Sequence, residues 1–191
     1  MQRVLLDHPQ QFKEGVRILM LCQRGKDGGG AKPDRAPRTI KRVSRNEKEF
    51  SDILEELEGL RSDEQRIYST VDARDVNKGI RIFKQRQLDA DYYSLEEHHS
   101  FYTDIWNRWI SALQAPQARA ETQFLIDIDL DNEEDKKLLP KRIEALESVP
   151  GDCIHWYETK NGYHLITTPF NPSLTELPVQ KNAMMLWAYS K

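Results

Sequence analysis

The stretch Phe124-Leu125-Ile126-Asp127-Ile128-Asp129-Leu130-Asp131 alternates apolar and acidic side chains from Ile126 onward. Successive side chains of a strand point to opposite faces, so Asp127, Asp129 and Asp131 share one face and Ile126, Ile128 and Leu130 the other. The apolar face suits packing on a neighbouring layer. The acidic face presents carboxylates at a repeat of roughly 6.5–7 Å, against a typical two-metal separation of about 3.5–4 Å. Two such carboxylates can lean inward on divalent metal, and without a cation their repulsion costs stability. The bland alternative is a solvated strand end running into an acidic loop. An EF-hand loop opens with the same spacing, but Asn132 stands where it needs Gly and Leu138 where it needs Glu. The stretch reads as a metal-holding strand in an α/β (α+β) protein.

Working outward toward the C-terminus, residues 122–191 read as a self-contained βαββ unit. Thr122 to Leu130 is a strand and Glu133 to Leu146 a helix. Cys153 to Thr159 and Tyr163 to Thr168 flank Asn161-Gly162, a strong two-residue hairpin signal. Pro169, Pro172 and Pro178 enforce a loop, and Ala183 to Tyr189 is a closing strand. If Asn161-Gly162 is the turn, Thr159 faces His164 across the ladder and Lys160 sits at the turn. Lys160, Thr159 and His164 would then form a phosphate cradle, or His164 is a hydrogen-bonded structural residue.

Toward the N-terminus, residues 1–115 read as a second α/β lobe, the two together forming one compact domain. Gly15 to Gln23 is a buried strand, Gly25 to Pro37 a loop, and Arg38 to Ser44 a second strand. Ser44 opens a helix to about Leu60, with Glu47 completing a capping box. Ile67 to Val71 is a strand, Asp72 or Asp75 caps a helix to about Leu88, and Ser94 to Leu113 is a further helix. On the helix to Leu88, Val76, Ile80 and Phe83 are expected to face inward.

Composition sets limits on function. Near-balanced charge, −3 overall, excludes a generic basic nucleic-acid coat protein but not a local basic groove. Two cysteines far apart, Cys22 and Cys153, argue against a disulfide framework and for a reducing compartment. With no secretory signal and no membrane-length apolar run, the expectation is a cytoplasmic protein with no membrane partner.

The acidic strand and the hairpin together resemble the archaeo-eukaryotic primase superfamily, most of all its short phage-type members. Its Asp-x-Asp strand is similar to Phe124-Leu125-Ile126-Asp127-Ile128-Asp129. Its Ser-x-His hairpin is similar to Gly162-Tyr163-His164, with Gly162 where Ser is usual, followed by Thr167-Thr168-Pro169-Phe170-Asn171. In the third motif Asn182 stands where a metal-binding Asp is expected, and Asp131 is a candidate to supply the missing charge.

The resemblance implies a two-lobed primase-like fold with an RRM-like C-terminal half. It implies Mg²⁺ or Mn²⁺ on Asp127 and Asp129, with His164 and Lys160 on the phosphates of a nucleoside triphosphate. The reaction would be in-line attack of a 3′-hydroxyl on the α-phosphate, releasing pyrophosphate. Single-stranded nucleic acid would be the template, and a helicase or polymerase a partner in DNA replication. Two rivals remain: a catalytically degenerate primase-fold protein that binds nucleic acid or a replication partner, and a metal-dependent phosphoesterase or nuclease.

Basic faces supply the candidate nucleic-acid residues: Lys41 and Arg42 in the second strand, Arg74, Arg81 and Lys84 around the helix to Leu88. Each fits a solvated face as well. Tyr92, Tyr93, Tyr102, Trp106 and Trp109 fit either base stacking or core packing.

Overall fold

The computed structural model describes residues 3–6, 8, 15–23, 39–93, 95–129, 151–159 and 162–190, together with Lys137, Lys141 and Glu144. Nine strands and four α-helices are described: β1 Arg3–Leu5, β2 Arg17–Gln23, β3 Ile40–Ser44, α1 Glu47–Leu60, β4 Gln65–Thr70, α2 Val76–Tyr93, α3 Leu95–Thr103, α4 Ile105–Gln114, β5 Phe124–Asp129, β6 Cys153–Glu158, β7 Gly162–Thr167, β8 Val179–Lys181 and β9 Met184–Ser190. They form a five-stranded sheet in the order β1-β9-β4-β2-β3 and a four-stranded sheet in the order β6-β7-β5-β8. Every described pairing is antiparallel, giving a mixed α+β fold. No described helix is long and apolar enough to cross a membrane.

The last seventy residues are not self-contained. Strand β9 leaves the second sheet and lies inside the first, between β1 and β4. Its sequence, Met-Met-Leu-Trp-Ala-Tyr-Ser, is buried from its second residue onward, as an interior strand covered on both faces requires. The main core therefore crosses between the sheets. It joins Leu19, Leu21, Ile67 and Trp187 of the first sheet, with Phe50 and Leu57 of α1, to Leu125, Tyr157 and Ile166 of the second. A smaller cluster of Val16, Ile18, Ile110 and Leu113 seats α4 against the opposite side of β2.

Several local expectations change. Helix α1 is capped by Asn46, whose Oδ1 accepts the Glu49 N–H at 2.9 Å, while Ser44 ends β3 as a buried residue. Asp75 caps α2, accepting from the Asn77 and Lys78 amides. Gly79 rather than Val76 or Ile80 faces inward on that helix, where a side chain would strike Leu113. Val76 and Ile80 are exposed instead. The single helix expected over 94–113 is two, α3 and α4, with Asp104 between them. The expected loop over 25–37 lies outside the described residues. So does most of the helix over 133–146, although Lys137, Lys141 and Glu144 are helical and exposed, the spacing of one outer face.

Candidate functional site

Strand β5 is central in the second sheet, paired with β7 on one side and β8 on the other. Its alternation sets two environments. Ile126 and Ile128 join Leu165 in a cluster closed by Phe170, Leu177 and Val179. On the other face Leu125 enters the core shared by the sheets, Asp127 is partly buried and Asp129 is exposed. The acidic pair thus begins where the core between the sheets ends, with carboxylates held beside apolar packing yet open to solvent.

His164 stands directly opposite Asp127 in the β5–β7 ladder, and its Nε2 lies 3.1 Å from Asp127 Oδ1. The second Asp127 oxygen, Oδ2, accepts from Gln180 Nε2 of β8 at 3.2 Å. On the far side of the imidazole, Nδ1 is 2.7 Å from the hydroxyl of Tyr157, which in turn receives the Leu186 backbone N–H at 3.2 Å. Burial raises the Tyr157 phenol above its ordinary range, against the Leu186 amide, and the Asp127 charge adds to the rise. His8 completes the cluster. It is buried, its Nε2 is 2.7 Å from the Leu186 carbonyl and its Nδ1 is 3.0 Å from His155 Nε2. Its ring meets Tyr157 edge-on at 4.2 Å.

The hairpin register differs from the expectation. Tyr157, not Thr159, pairs with His164, and the Thr159 amide donates to the Gly162 carbonyl at 2.7 Å. Gly162 is therefore a ladder residue, opposite Asp129. It has a steric reason: a Cβ there would collide with the Ile128 carbonyl, so the Ser of the resembling motif has no room. Thr159, the residue after β6, is buried. Lys160 and Asp131 lie outside the described residues.

Asn182 is not with the acids. It sits beyond β8, whose Lys181 pairs with Phe124 at the opposite end of β5 from Asp129, in a left-handed conformation with φ 61°. Its Oδ1 accepts from Arg74 Nη1 at 2.6 Å and its Nδ2 donates to the Gln114 carbonyl at 3.2 Å. Both ends of the carboxamide are thus committed away from any metal on Asp127.

Arg74 likewise is no surface residue, being 1 % exposed. Burial lowers its pKa to about 10, opposed by Asp72, so it remains a cation at neutral pH. Asp72 accepts the Gln123 amide at 2.5 Å, linking this charged cluster to the residue that precedes β5. Lys41 donates to Gln114 Oε1 and Arg42 pairs with Glu56 at 2.7 Å, so both are engaged with the protein. Arg81 and Lys84 alone of the basic candidates are exposed on α2 without an ion pair among the described residues. Of the aromatic candidates, Tyr92, Tyr102 and Trp106 are exposed, the Tyr102 hydroxyl accepting from Gln87 Nε2 at 2.6 Å, whereas Trp109 packs on Phe83. The side chain of Tyr93 is not described.

No protein-family model matches the chain, and no curated protein is significantly similar to it. The site stands on its geometry. Among the described residues no group of three His, Cys, Asp or Glu converges on a metal position. Two carboxylates on one strand face still suit Mg²⁺, which is commonly held by one or two carboxylates and completed by phosphate oxygens and water.

Tyr157, Gln180 and His8 were missed by sequence reasoning. Tyr157 was concealed by the hairpin register. Gln180 sits in a three-residue strand behind Pro178, and His8 carries no local motif.

Proposed function

We propose that the chain is a primase-like nucleotidyltransferase that joins nucleotides on a single-stranded nucleic-acid template. The observation that carries this reading is the pairing of Asp127 with His164 across the central strands, with Asp129 on the same face. The strand order β8-β5-β7-β6, in which β5 and β6 run parallel with β7 inserted between them, also supports it. A split βαβ order of this kind is what an RRM-like half would require.

Asp127 and Asp129 would hold Mg²⁺ or Mn²⁺, which when bound would neutralise charge on the triphosphate and its leaving pyrophosphate. His164, beside the carboxylates, donates to phosphate oxygens and orients the nucleotide. Asp127 is itself oriented by Gln180 and His164, which occupy one direction on each of its oxygens. No covalent protein nucleophile is required. In this reading Arg81 and Lys84 hold the phosphate backbone of the template.

One observation favours a second reading, a catalytically degenerate member that binds nucleic acid or a replication partner. Asn182, where the resembling motif has a third carboxylate, is bound to Arg74 rather than turned to Asp127. The deciding experiment is incorporation of labelled nucleotide on single-stranded DNA with Mn²⁺ or Mg²⁺. Product from wild type that vanishes in Asp127→Ala/Asp129→Ala is expected. A folded wild type that binds DNA yet makes no product selects the degenerate reading.

A further inference from the structure

The hydrogen bonds around Tyr157 can be satisfied in one way only. Its oxygen receives the Leu186 backbone N–H at 3.2 Å, and His164 Nδ1 lies 2.7 Å away. The phenol is buried, and no other acceptor for its proton stands among the described residues. Were Nδ1 protonated, the imidazole would donate to an oxygen already receiving Leu186, and the phenol proton would be stranded in a buried site. A buried donor left without an acceptor forfeits a hydrogen bond that water would otherwise supply. In that tautomer a lone pair on Nε2 would also oppose the Asp127 carboxylate oxygen at 3.1 Å. With the phenol donating to Nδ1, every group is matched: Leu186 N–H to Tyr157, Tyr157 O–H to Nδ1, and Nε2–H to Asp127. The raised phenol pKa is consistent with a hydroxyl that keeps its proton.

We infer that Tyr157 is a positioning residue that locks His164 as its Nε2–H tautomer, so that the imidazole acts as a hydrogen-bond donor and not as a metal ligand or general base. The lock is set by backbone of the other sheet, since Leu186 belongs to β9. The inference rests on the proposed function only in naming a nucleotide phosphate as the second acceptor for Nε2–H. A donor at this position needs no positive charge on the imidazole. It also argues against the phosphoesterase alternative in any form that uses His164 to activate water.

The test separates the two claims. Histidine-selective ¹⁵N labelling and long-range ¹H–¹⁵N spectra of the metal-free protein report the tautomer of His164 directly. Wild type is expected to show an unprotonated Nδ1 and a protonated Nε2. The pattern should persist in Asp127→Asn, where the carboxylate no longer attracts Nε2–H, and should give way to mixed tautomers in Tyr157→Phe. A protonated Nδ1 in wild type overturns the inference with no variant needed. So does a single unchanged tautomer in folded Tyr157→Phe. A second arm titrates a nucleoside triphosphate with Mg²⁺. Tyr157→Phe is expected to weaken binding about tenfold, the equivalent of one lost charge-assisted hydrogen bond, and to leave affinity for Mn²⁺ alone unchanged. If wild type shows the expected tautomer but binds no nucleotide, the proposed function fails and the lock stands. If nucleotide binds but Tyr157→Phe does not alter it, the donor role toward phosphate is overturned.

Discussion

Asn182 shows how one residue type can serve two chemistries. Its carboxamide could in principle offer oxygen to a metal, but it faces a buried guanidinium instead. Asn is also among the few residues that tolerate φ near 61°. Asn182→Ala removes the partner of Arg74 and is expected to cost about 2 kcal/mol, the scale of a hydrogen bond to a charged group. Urea denaturation measures that loss, and Mn²⁺ affinity should be unchanged. A drop in metal affinity at unaltered stability would return Asn182 to the metal site. Asp72, in the same cluster, has an unusual pH signature. Burial raises its carboxyl above the ordinary range, outweighing the Gln123 amide and the nearby Arg74 and Arg119. A carboxyl whose pKa rises on folding binds its proton more tightly in the folded state. Its ionisation therefore costs stability as pH climbs from its unfolded value of about 3.9 through the raised one. The stability of wild type relative to Asp72→Asn is expected to grow as pH falls from neutrality toward about 4. Paired urea melts across that range would show the trend, and a wild type that loses stability relative to Asp72→Asn on acidification would refute it.

At the scale of elements, the long strands were legible and the short ones were not. Strand β5 announces itself by alternation, and β2 and β9 by apolar runs. Strands β1 and β8 have three residues each, too few for any period to register. The hairpin was found but its register was not, since Asn161-Gly162 carries the usual turn signal. Gly162 instead lies within the ladder, where the Ile128 carbonyl leaves no space for a side chain. A close approach between strands distant in sequence leaves no local mark. Asp127, Asp129 and His164 were legible as residues, from the alternation of β5 and the strand after the turn, while the pairing that sets His164 opposite Asp127 was not. Their supports, Tyr157 and Gln180, depend on that register and on β8. The basic faces were legible as charge but not as exposure: Arg74 is buried and Arg42 is paired, leaving Arg81 and Lys84 on α2. Arg81→Glu/Lys84→Glu is expected to weaken single-stranded DNA binding and to lower the dependence of log K on log[salt] by roughly 1.4 for two lost phosphate contacts. Titrations at three salt concentrations would measure it. An unaltered slope would leave α2 a solvated face.

For the whole molecule, the decisive feature is that two sheets share one core. A reading of the chain as consecutive halves recovers its composition but not its connectivity, because nothing in Met184–Ser190 states which sheet it joins. Leu125 lies in the second sheet yet clusters with Leu19, Ile67 and Trp187 of the first. Leu125→Ala is expected to cost about 3 kcal/mol and to lower hydrogen-exchange protection by the same free energy in β2 and β4 as in β7. Loss confined to β7 would mean that the halves unfold independently.

The interior position of β9 also orders events during synthesis. On the ribosome β2, β3 and β4 emerge early, but β4 keeps an open edge until residues 184–188 arrive and pair with it. β1 waits longer still, since its only partner among the described strands is β9. Pairings this distant in sequence make for slow folding, and an exposed strand edge invites association with other chains in the meantime. Nascent chains arrested before residue 184 should therefore be protease-sensitive in both halves, with the acidic site still unassembled because Leu186 has yet to reach Tyr157.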